Sequence, residues 1–311
     1  MRAIVTGGAG FIGPHVVDAL LARDHEVVVV DDLSRGRADN VSEGATLVQA
    51  DLRDADALAG PFAELEPEVC FHLAAQADVR VSITDPGLDC EVNVIGTIRV
   101  LEATREHGTQ VVFSSTGGAM YGECERPAPE TTDRRPLAPY GTSKLAAEEY
   151  LAMYNRLYGT AHISLRYGNV YGPRQDPHGE AGVVAIFFGR LAAGEAPRIF
   201  GDGRQTRDYV YVGDVAEATL AACGRPAGVF NVGTGRETSV LEVFDACRRV
   251  SGVDVEPEFA SARLGELARS VLDPTLAERE LGFRARTDLD AGLAETWRSI
   301  LPEGEARPGA N

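Results

Sequence analysis

The first thirty-two residues constrain the fold more than any other stretch of this chain. Arg2-Ala3-Ile4-Val5-Thr6 is a short apolar run with β-branched residues and reads as a buried strand. It enters Gly7-Gly8-Ala9-Gly10-Phe11-Ile12-Gly13, followed by an apolar helical pattern through Val16, Val17, Leu20 and Leu21. A second strand, Glu26-Val27-Val28-Val29-Val30, ends on Asp31-Asp32. Glycines at 7, 10 and 13 predict a tight turn, a backbone bare enough for a pyrophosphate to approach, and helix N–H groups aimed at that anion. Pro14 falls near the first helical turn, where a missing donor costs little. Asp31 lies 18 residues beyond Gly13, close to the offset of an acid that binds the adenosine ribose diol. A carboxylate there repels a 2′-phosphate, so the pattern favours NAD over NADP.

Charge and cysteine usage narrow the partners. Thirty basic side chains against 47 acidic ones give a formal charge of −17, which argues against nucleic acid or an anionic membrane. A nucleotide ligand stays open, because a pocket needs only a few local cations. The five cysteines at 70, 90, 124, 223 and 247 are scattered without a C-x-x-C pair, and read as reduced thiols. No apolar run approaches the length of a membrane span, and strand residues begin at Ala3, leaving no room for a signal peptide. The expectation is a soluble, cytoplasmic chain with no metal site. Its 311 residues allow one large domain or two modest ones.

Strands and helices then alternate, as in a doubly wound parallel sheet. Ala45–Ala50 is a third strand, and Asp51-Leu52 at its end is placed to lie beside an adenine. Asp54 to Glu66 is predicted helical, with an interruption at Gly60-Pro61. Glu68–Ala75 is a fourth strand closing on small residues that let a cofactor come near. Its His72 has no second ligand at metal spacing, so a hydrogen-bonded core histidine is the better reading. Asp89 to His107 makes a long helix containing Asn93, and Gln110–Phe113 a fifth strand opening into Ser114-Ser115-Thr116-Gly117-Gly118.

Tyr140-Gly141-Thr142-Ser143-Lys144 sets a tyrosine and a lysine on one helical face. A free tyrosine titrates near 10, too high for a base at neutral pH. Bringing it to 7 takes about 4 kcal/mol of charge stabilisation, within reach of an ammonium and a positive nicotinamide ring. A Ser or Thr hydroxyl at the preceding strand end would hydrogen-bond the reacting oxygen. A tyrosine and lysine at this spacing are common by accident, and gain weight here from the nucleotide-binding pattern before them.

With these residues in view, the chain resembles the extended short-chain dehydrogenases/reductases, and within them the nucleotide-sugar epimerases acting at C4 of UDP-glucose and UDP-galactose. The resemblance runs from Met1 to about Trp297. It rests on Thr6–Gly13, His72–Gln76, Pro139–Lys144, Leu165–Arg174, Gly201–Val210, Phe230–Gly235 and the Gly172–Val184 stretch GPRQDPHGEAGVV. It implies a Rossmann-type NAD-binding domain over 1–168, with a returning segment near 210–235. A smaller substrate-binding lobe is expected over 169–209 and 236–301, and a flexible tail over 302–311.

The resemblance also assigns roles. Tyr140 would be the catalytic base and Lys144 its tuning cation, with Thr116, or else Ser115, as the active-site hydroxyl. Gly7, Gly10, Phe11, Ile12, Gly13, Asp31, Asp32, Ser34, Asp51 and Leu52 would hold NAD. So would Leu73, Ala74, Ala75, Gln76, Asn93, Ser114 and Tyr167, together with Tyr140 and Lys144. On the substrate side, Asn169 would lie near the diphosphate, Val183 and Phe187 beneath it, and Ile199 and Phe200 beside the uracil. Arg207 and Arg263 would pair with the diphosphate, where a guanidinium fork suits phosphate. Ser270, seven residues after Arg263, would gate an N-acetyl group, its small side chain admitting UDP-N-acetylglucosamine. His178, in a Gly/Pro-rich loop, is assigned no catalysis. Related 4,6-dehydratases follow the active-site threonine with Asp-Glu; Gly117-Gly118 here disfavours elimination. Rival readings are a uronate epimerase, a reductase or a decarboxylase on the same scaffold, and a non-catalytic NAD-binding regulator. Relatives dimerise through two long helices per subunit, here around 89–107 and 141–158.

Overall fold

The structure, a computed structural model, describes residues 1–177, 182–262 and 267–301. The first half alternates as expected: β1 (Arg2–Thr6), α1 (Gly13–Leu21), β2 (Glu26–Asp31), β3 (Thr46–Gln49), α2 (Ala55–Leu65) and β4 (Val69–His72). Then come α3 (Val79–Thr84), α4 (Pro86–Cys90), α5 (Gly96–Arg105), β5 (Gln110–Thr116), α6 (Pro139–Tyr158) and β6 (Ile163–Tyr167). The second half is more broken: β7 (Asn169–Tyr171), α7 (Val183–Ala192), β8 (Arg198–Phe200), β9 (Thr206–Arg207), β10 (Tyr209–Tyr211), α8 (Val212–Ala221) and β11 (Gly228–Val232). It ends with β12 (Thr238–Ser239), α9 (Val240–Ser251), β13 (Glu258–Ala260), β14 (Arg269–Ser270), α10 (Thr275–Leu281) and α11 (Leu289–Ile300).

Among the described residues, seven parallel strands form one sheet in the order β11-β6-β5-β4-β1-β2-β3. Its central strands β1, β2, β4 and β5 are covered on both faces, which is why they read as largely apolar runs, while the edge strand β3 stays partly exposed. One face carries a core of Val5, Val29, Phe71, Ile163 and Val215, the other a core of Ile4, Leu58, Phe113, Leu101 and Leu151. A third cluster, built on Phe187, Phe188, Phe244 and Trp297, holds the lobe together. The fold is the expected doubly wound sheet with a smaller C-terminal lobe. Ala277, Leu281 and Phe283, inside the range expected for the lobe, pack instead into the first sheet core.

Two helices differ from expectation. Gly60-Pro61 does not interrupt α2, which continues through Pro61. Proline there removes one intrahelical bond, but Asp54 caps the helix by accepting from Asp56 and Ala57 N–H, and Leu58, Phe62 and Leu65 anchor it to the sheet. The long helix begins at Pro86 and contains a π turn over Glu91–Ile95, with Asn93 at its centre.

His72 is a core residue. Thr97 Oγ1 donates its proton to the Asn93 carbonyl at 2.6 Å, so it accepts from His72 Nε2 at 3.0 Å. That leaves Nδ1 as acceptor for the Thr6 hydroxyl at 2.7 Å, a neutral ring. Burial, with the nearby Lys144 charge, pushes its pKa down to about 3. The unfolded chain protonates this imidazole below about 6.5 while the folded chain does not, so stability falls as pH drops through that window. Between pH 6.5 and 5 the loss from this ring is about 2 kcal/mol. Urea titrations at pH 7 and 5 should show a smaller drop in a His72→Asn variant than in the parent; equal drops would remove His72 from the account.

Candidate active site

The carboxyl ends of the strands gather the predicted cofactor residues. At the end of β1 the chain turns through Gly7 with φ of 71°. A Cβ there would fall 2.5 Å from the Ala74 main-chain nitrogen, so glycine lets the ends of β1 and β4 meet. Ile12, the N-cap of α1, makes no side-chain bond to the first turn. Pro14 has no N–H and the His15 N–H donates to the Ile12 carbonyl at 3.1 Å, so the first-turn donor available to an anion is the Gly13 N–H. Asp31 closes β2, buried, accepting from Ala9 N–H at 3.0 Å and Leu33 N–H at 2.9 Å. Burial raises its pKa against those two donors. Bare main chain at the turn, a helix start with no side-chain cap and an acid at the second strand end together fit a dinucleotide.

Around this cradle, Gly10, Phe11 and Ile12 are half-buried and Gly13 is buried. The exposed Asp32 accepts from the Ser34 N–H and hydroxyl. Asp51 is held below the usual carboxylate range by its hydrogen-bonded ion pair with Arg53. Leu52 lies buried against Gly96, and Leu73, Ala74 and Ala75 are half-buried past β4. Asn93 is spent within the protein: its amide donates to Gln76 O, Asp89 and Ser143, and its oxygen accepts from Gln76 N–H. Gln76 is likewise tied to Asp78 and Asp89. The Tyr167 phenol is hydrogen-bonded to Thr219 in the sheet core, so what it presents at the strand end is main chain.

The second group forms where α6 meets β5. Gly141 makes this approach close, since a Cβ there would stand 2.5 Å from the Ala119 carbonyl oxygen. Tyr140, half-buried, lies in the first turn of α6, next to Gly141. Lys144, one turn on, is buried and donates from Nζ to the Ser114 carbonyl at 2.9 Å, above the Phe113 ring. Burial pushes its pKa down to about 7, against the opposing charges of Asp89 and Glu148. Thr116 ends β5, its Oγ1 accepting from Ala119 N–H at 3.2 Å. Ser115 points to the other sheet face and donates to Glu148 at 2.5 Å in the interior. The hydroxyl at the strand end is therefore that of Thr116.

The remaining predicted residues belong to the lobe and the segments leading into it. Asn169 is exposed, with its side-chain oxygen 3.3 Å from where a Cβ on Gly118 would stand. Arg207 on β9 is half-buried and donates to the Thr206 carbonyl. Ser270 on β14 is its register partner, so the two residues share a sheet face. Val183 and Phe200 keep some exposed surface. Phe187 and Ile199, by contrast, are packed in the lobe core with essentially no surface for a ligand. Arg263 and His178 lie outside the described residues, as does 302–311.

Asp208, which the sequence reading passed over, holds Arg207's strand in place. Its carboxylate accepts from Thr234 N–H and hydroxyl, Gly235 N–H and Leu272 N–H, and its carbonyl accepts from Asn169 N–H at 2.7 Å. Also passed over were Glu148 and Arg166, a fully buried ion pair at 2.6 Å. The signal was present: Glu148 continues the four-residue spacing of Tyr140 and Lys144.

Residues 3–233 match the NAD dependent epimerase/dehydratase family. The UDP-glucose 4-epimerase of Mycolicibacterium smegmatis is 52% identical over 285 residues, covering 88% of this chain and 90% of that protein. A crystal structure of Thermotoga maritima UDP-glucose 4-epimerase with UDP-glucose superposes with a TM-score of 0.94 at 45% identity, covering 96% and 98% of the two chains. The Thermus thermophilus UDP-glucose 4-epimerase in complex with NAD gives a TM-score of 0.91 at 47% identity, with the same coverage.

Proposed function

The chain belongs to the NAD dependent epimerase/dehydratase family, and from that premise we propose how it acts as a UDP-glucose 4-epimerase-like isomerase. It inverts C4 of a UDP-hexose, interconverting UDP-glucose and UDP-galactose through transient oxidation to a 4-keto sugar. The observation that carries this reading is the meeting, at one end of the sheet, of the glycine cradle, Thr116 and the Tyr140–Lys144 pair. NAD, when bound, supplies a reversible hydride acceptor.

In this reading Tyr140 takes the C4 hydroxyl proton and later returns it, while Lys144 favours the phenolate and Thr116 hydrogen-bonds the reacting oxygen. Arg207, with Arg263, grips the diphosphate and Asn169 lies beside it. Fastening the ligand at that end leaves the sugar free to turn and present its other face. Gly117 and Gly118 offer no acid or base for C5 or C6, so elimination has no local catalyst. The NAD-binding residues are those of the cradle, with Asn93 and Gln76 bracing the end of β4. The chain divides into an NAD-binding unit, residues 1–168 with the return near 210–235 and α10 packed onto its sheet, and a lobe formed by the rest through 301.

Incubation with a panel of UDP-hexoses should convert UDP-glucose and UDP-galactose into each other with no accumulation of NADH. Net NADH would point to a dehydrogenase or reductase instead. Ser270, small and beside Arg207, supports a wider pocket that also takes UDP-N-acetylglucosamine. Ser270→Tyr should cut kcat/KM for the acetylated sugar at least tenfold with UDP-glucose turnover kept. Rejection of the acetylated sugar by the parent chain would refute the gate.

We also assign a homodimer through the helices around 89–107 and 141–158, supported by the exposed apolar side chains Ile95 in the π turn before α5 and Tyr150, Leu157 and Tyr158 on α6; sedimentation equilibrium tests it. A cytoplasmic location is supported by five free thiols. No helix among the described residues is long and apolar enough to cross a membrane.

A further inference from the structure

Tyr140, Lys144 and Glu148 recur every fourth residue and so form one stripe along α6. The last of them is buried, and both of its carboxylate oxygens are used. Ser115 Oγ donates to Oε1 at 2.5 Å, Arg166 Nε to the same oxygen at 2.9 Å, and Arg166 Nη2 to Oε2 at 2.6 Å. Ser115 and Arg166 are register partners across β5 and β6, so they reach α6 from one sheet face. Arg166 Nη1 goes on to donate to the Tyr121 phenol at 2.8 Å, which donates to Asn231 on β11 at 2.8 Å. One carboxylate thus ties the catalytic helix to β5, β6 and the segment that follows Thr116.

We propose that Glu148 is a positioning residue for the epimerisation, fixing the strand end that carries Thr116 against the helix that carries Tyr140 and Lys144. The proposal rests on the roles given above to those three residues. Its geometric part is the three-way grip: Ser115 precedes Thr116 in the chain, so the bond from Ser115 to Glu148 fixes the register of α6, with Tyr140 and Lys144 on its first turns, against the strand end that carries Thr116. Its electrostatic part follows from what faces Lys144. Glu148 lies one turn along the same helix, Asp89 approaches from α4, His72 from β4 is neutral, and the Ser114 carbonyl and Phe113 ring complete the surroundings. Two carboxylates therefore oppose the burial that drives Lys144 toward its neutral form. Loss of one leaves the ammonium easier to deprotonate, and Tyr140 then needs a higher pH to give up its proton.

Glu148→Gln keeps the shape and removes the charge. In the NAD-loaded enzyme kcat at pH 7 should fall at least tenfold, with KM for UDP-glucose within twofold. The acidic limb of the kcat profile should move up by half a pH unit or more. Glu148→Asp keeps the charge but shortens the reach: its kcat should fall with the limb unmoved. Should Glu148→Gln fail to fold, the apolar pair Glu148→Met with Arg166→Met decides, since it leaves no buried charge unpaired; a tenfold loss with the parental Tm supports the proposal. Parental kcat in Glu148→Gln or in that pair overturns it, as does an unmoved limb in Glu148→Gln. Lys144→Met separates the two levels. If that variant loses turnover while Glu148→Gln does not, the positioning role is wrong and the site stands. If Lys144→Met keeps the parental rate and profile, the site reading itself fails.

Discussion

Tyr140→Phe should leave less than a thousandth of the parental turnover in a protein that still binds NAD. The change removes one oxygen and nothing else. Tyr140 is half-buried at the start of α6, and Ser143 bonds to its carbonyl rather than to its ring, so the helix start survives. General acid–base groups contribute about 10²- to 10⁴-fold, and in the role proposed for Tyr140 the same phenol serves both the removal and the return of the proton. Lys144 cannot substitute, because its Nζ is buried against the Ser114 carbonyl beneath the strand end. The measurement is steady-state turnover of UDP-galactose, with NAD content read on the denatured protein. Undiminished turnover would dismiss Tyr140 as the base; loss of both turnover and cofactor would show instead that the ring is needed to hold NAD.

The second large effect belongs to Gly13. A Cβ at this position would lie 2.2 Å from the Gly7 carbonyl oxygen and 2.6 Å from Gly8 Cα. Both are main-chain atoms of the turn itself, so no side chain can yield. Gly13→Ala must open the β1–α1 turn, at a cost of about 2 kcal/mol or more, typical of a forced overpacking. The expected product is a chain with a lowered Tm and at least tenfold weaker NAD binding, both measurable by thermal unfolding with and without added cofactor. Gly10→Ala is the comparison. Its nearest contact is the same carbonyl at 3.4 Å, so its Tm without cofactor should stay close to parental. Equal losses of Tm in the two variants would refute the packing argument.

How much of this was legible in the chain depends on the range of the interactions involved. The glycine turn, Asp31 and the alternation of strands with helices are local or periodic, and the doubly buried strands announce themselves as apolar runs. The Tyr140–Lys144 pair was legible for the same reason, as neighbours on one helix. Pro61 misled because a local rule was outvoted by the packing of Leu58, Phe62 and Leu65, which no window around Pro61 reveals. The short strands β9, β12 and β14 have two residues each, too few for any period to show. Glu148 and Arg166 resemble surface charges until the sheet brings them together. Phe187 and Ile199 carried a motif position but not its exposure, because alternation along a helix or strand does not say which apolar face a ligand meets.

The anchoring of Asp208 has an outcome for how such a protein changes over generations. Three of the four donors to its carboxylate are peptide N–H groups, from Thr234, Gly235 and Leu272, and these persist whatever side chains mutate around them. The strand bearing Arg207 is thereby insulated from sequence drift. Side chains around that strand can therefore be exchanged over generations while its main-chain tether is inherited unchanged.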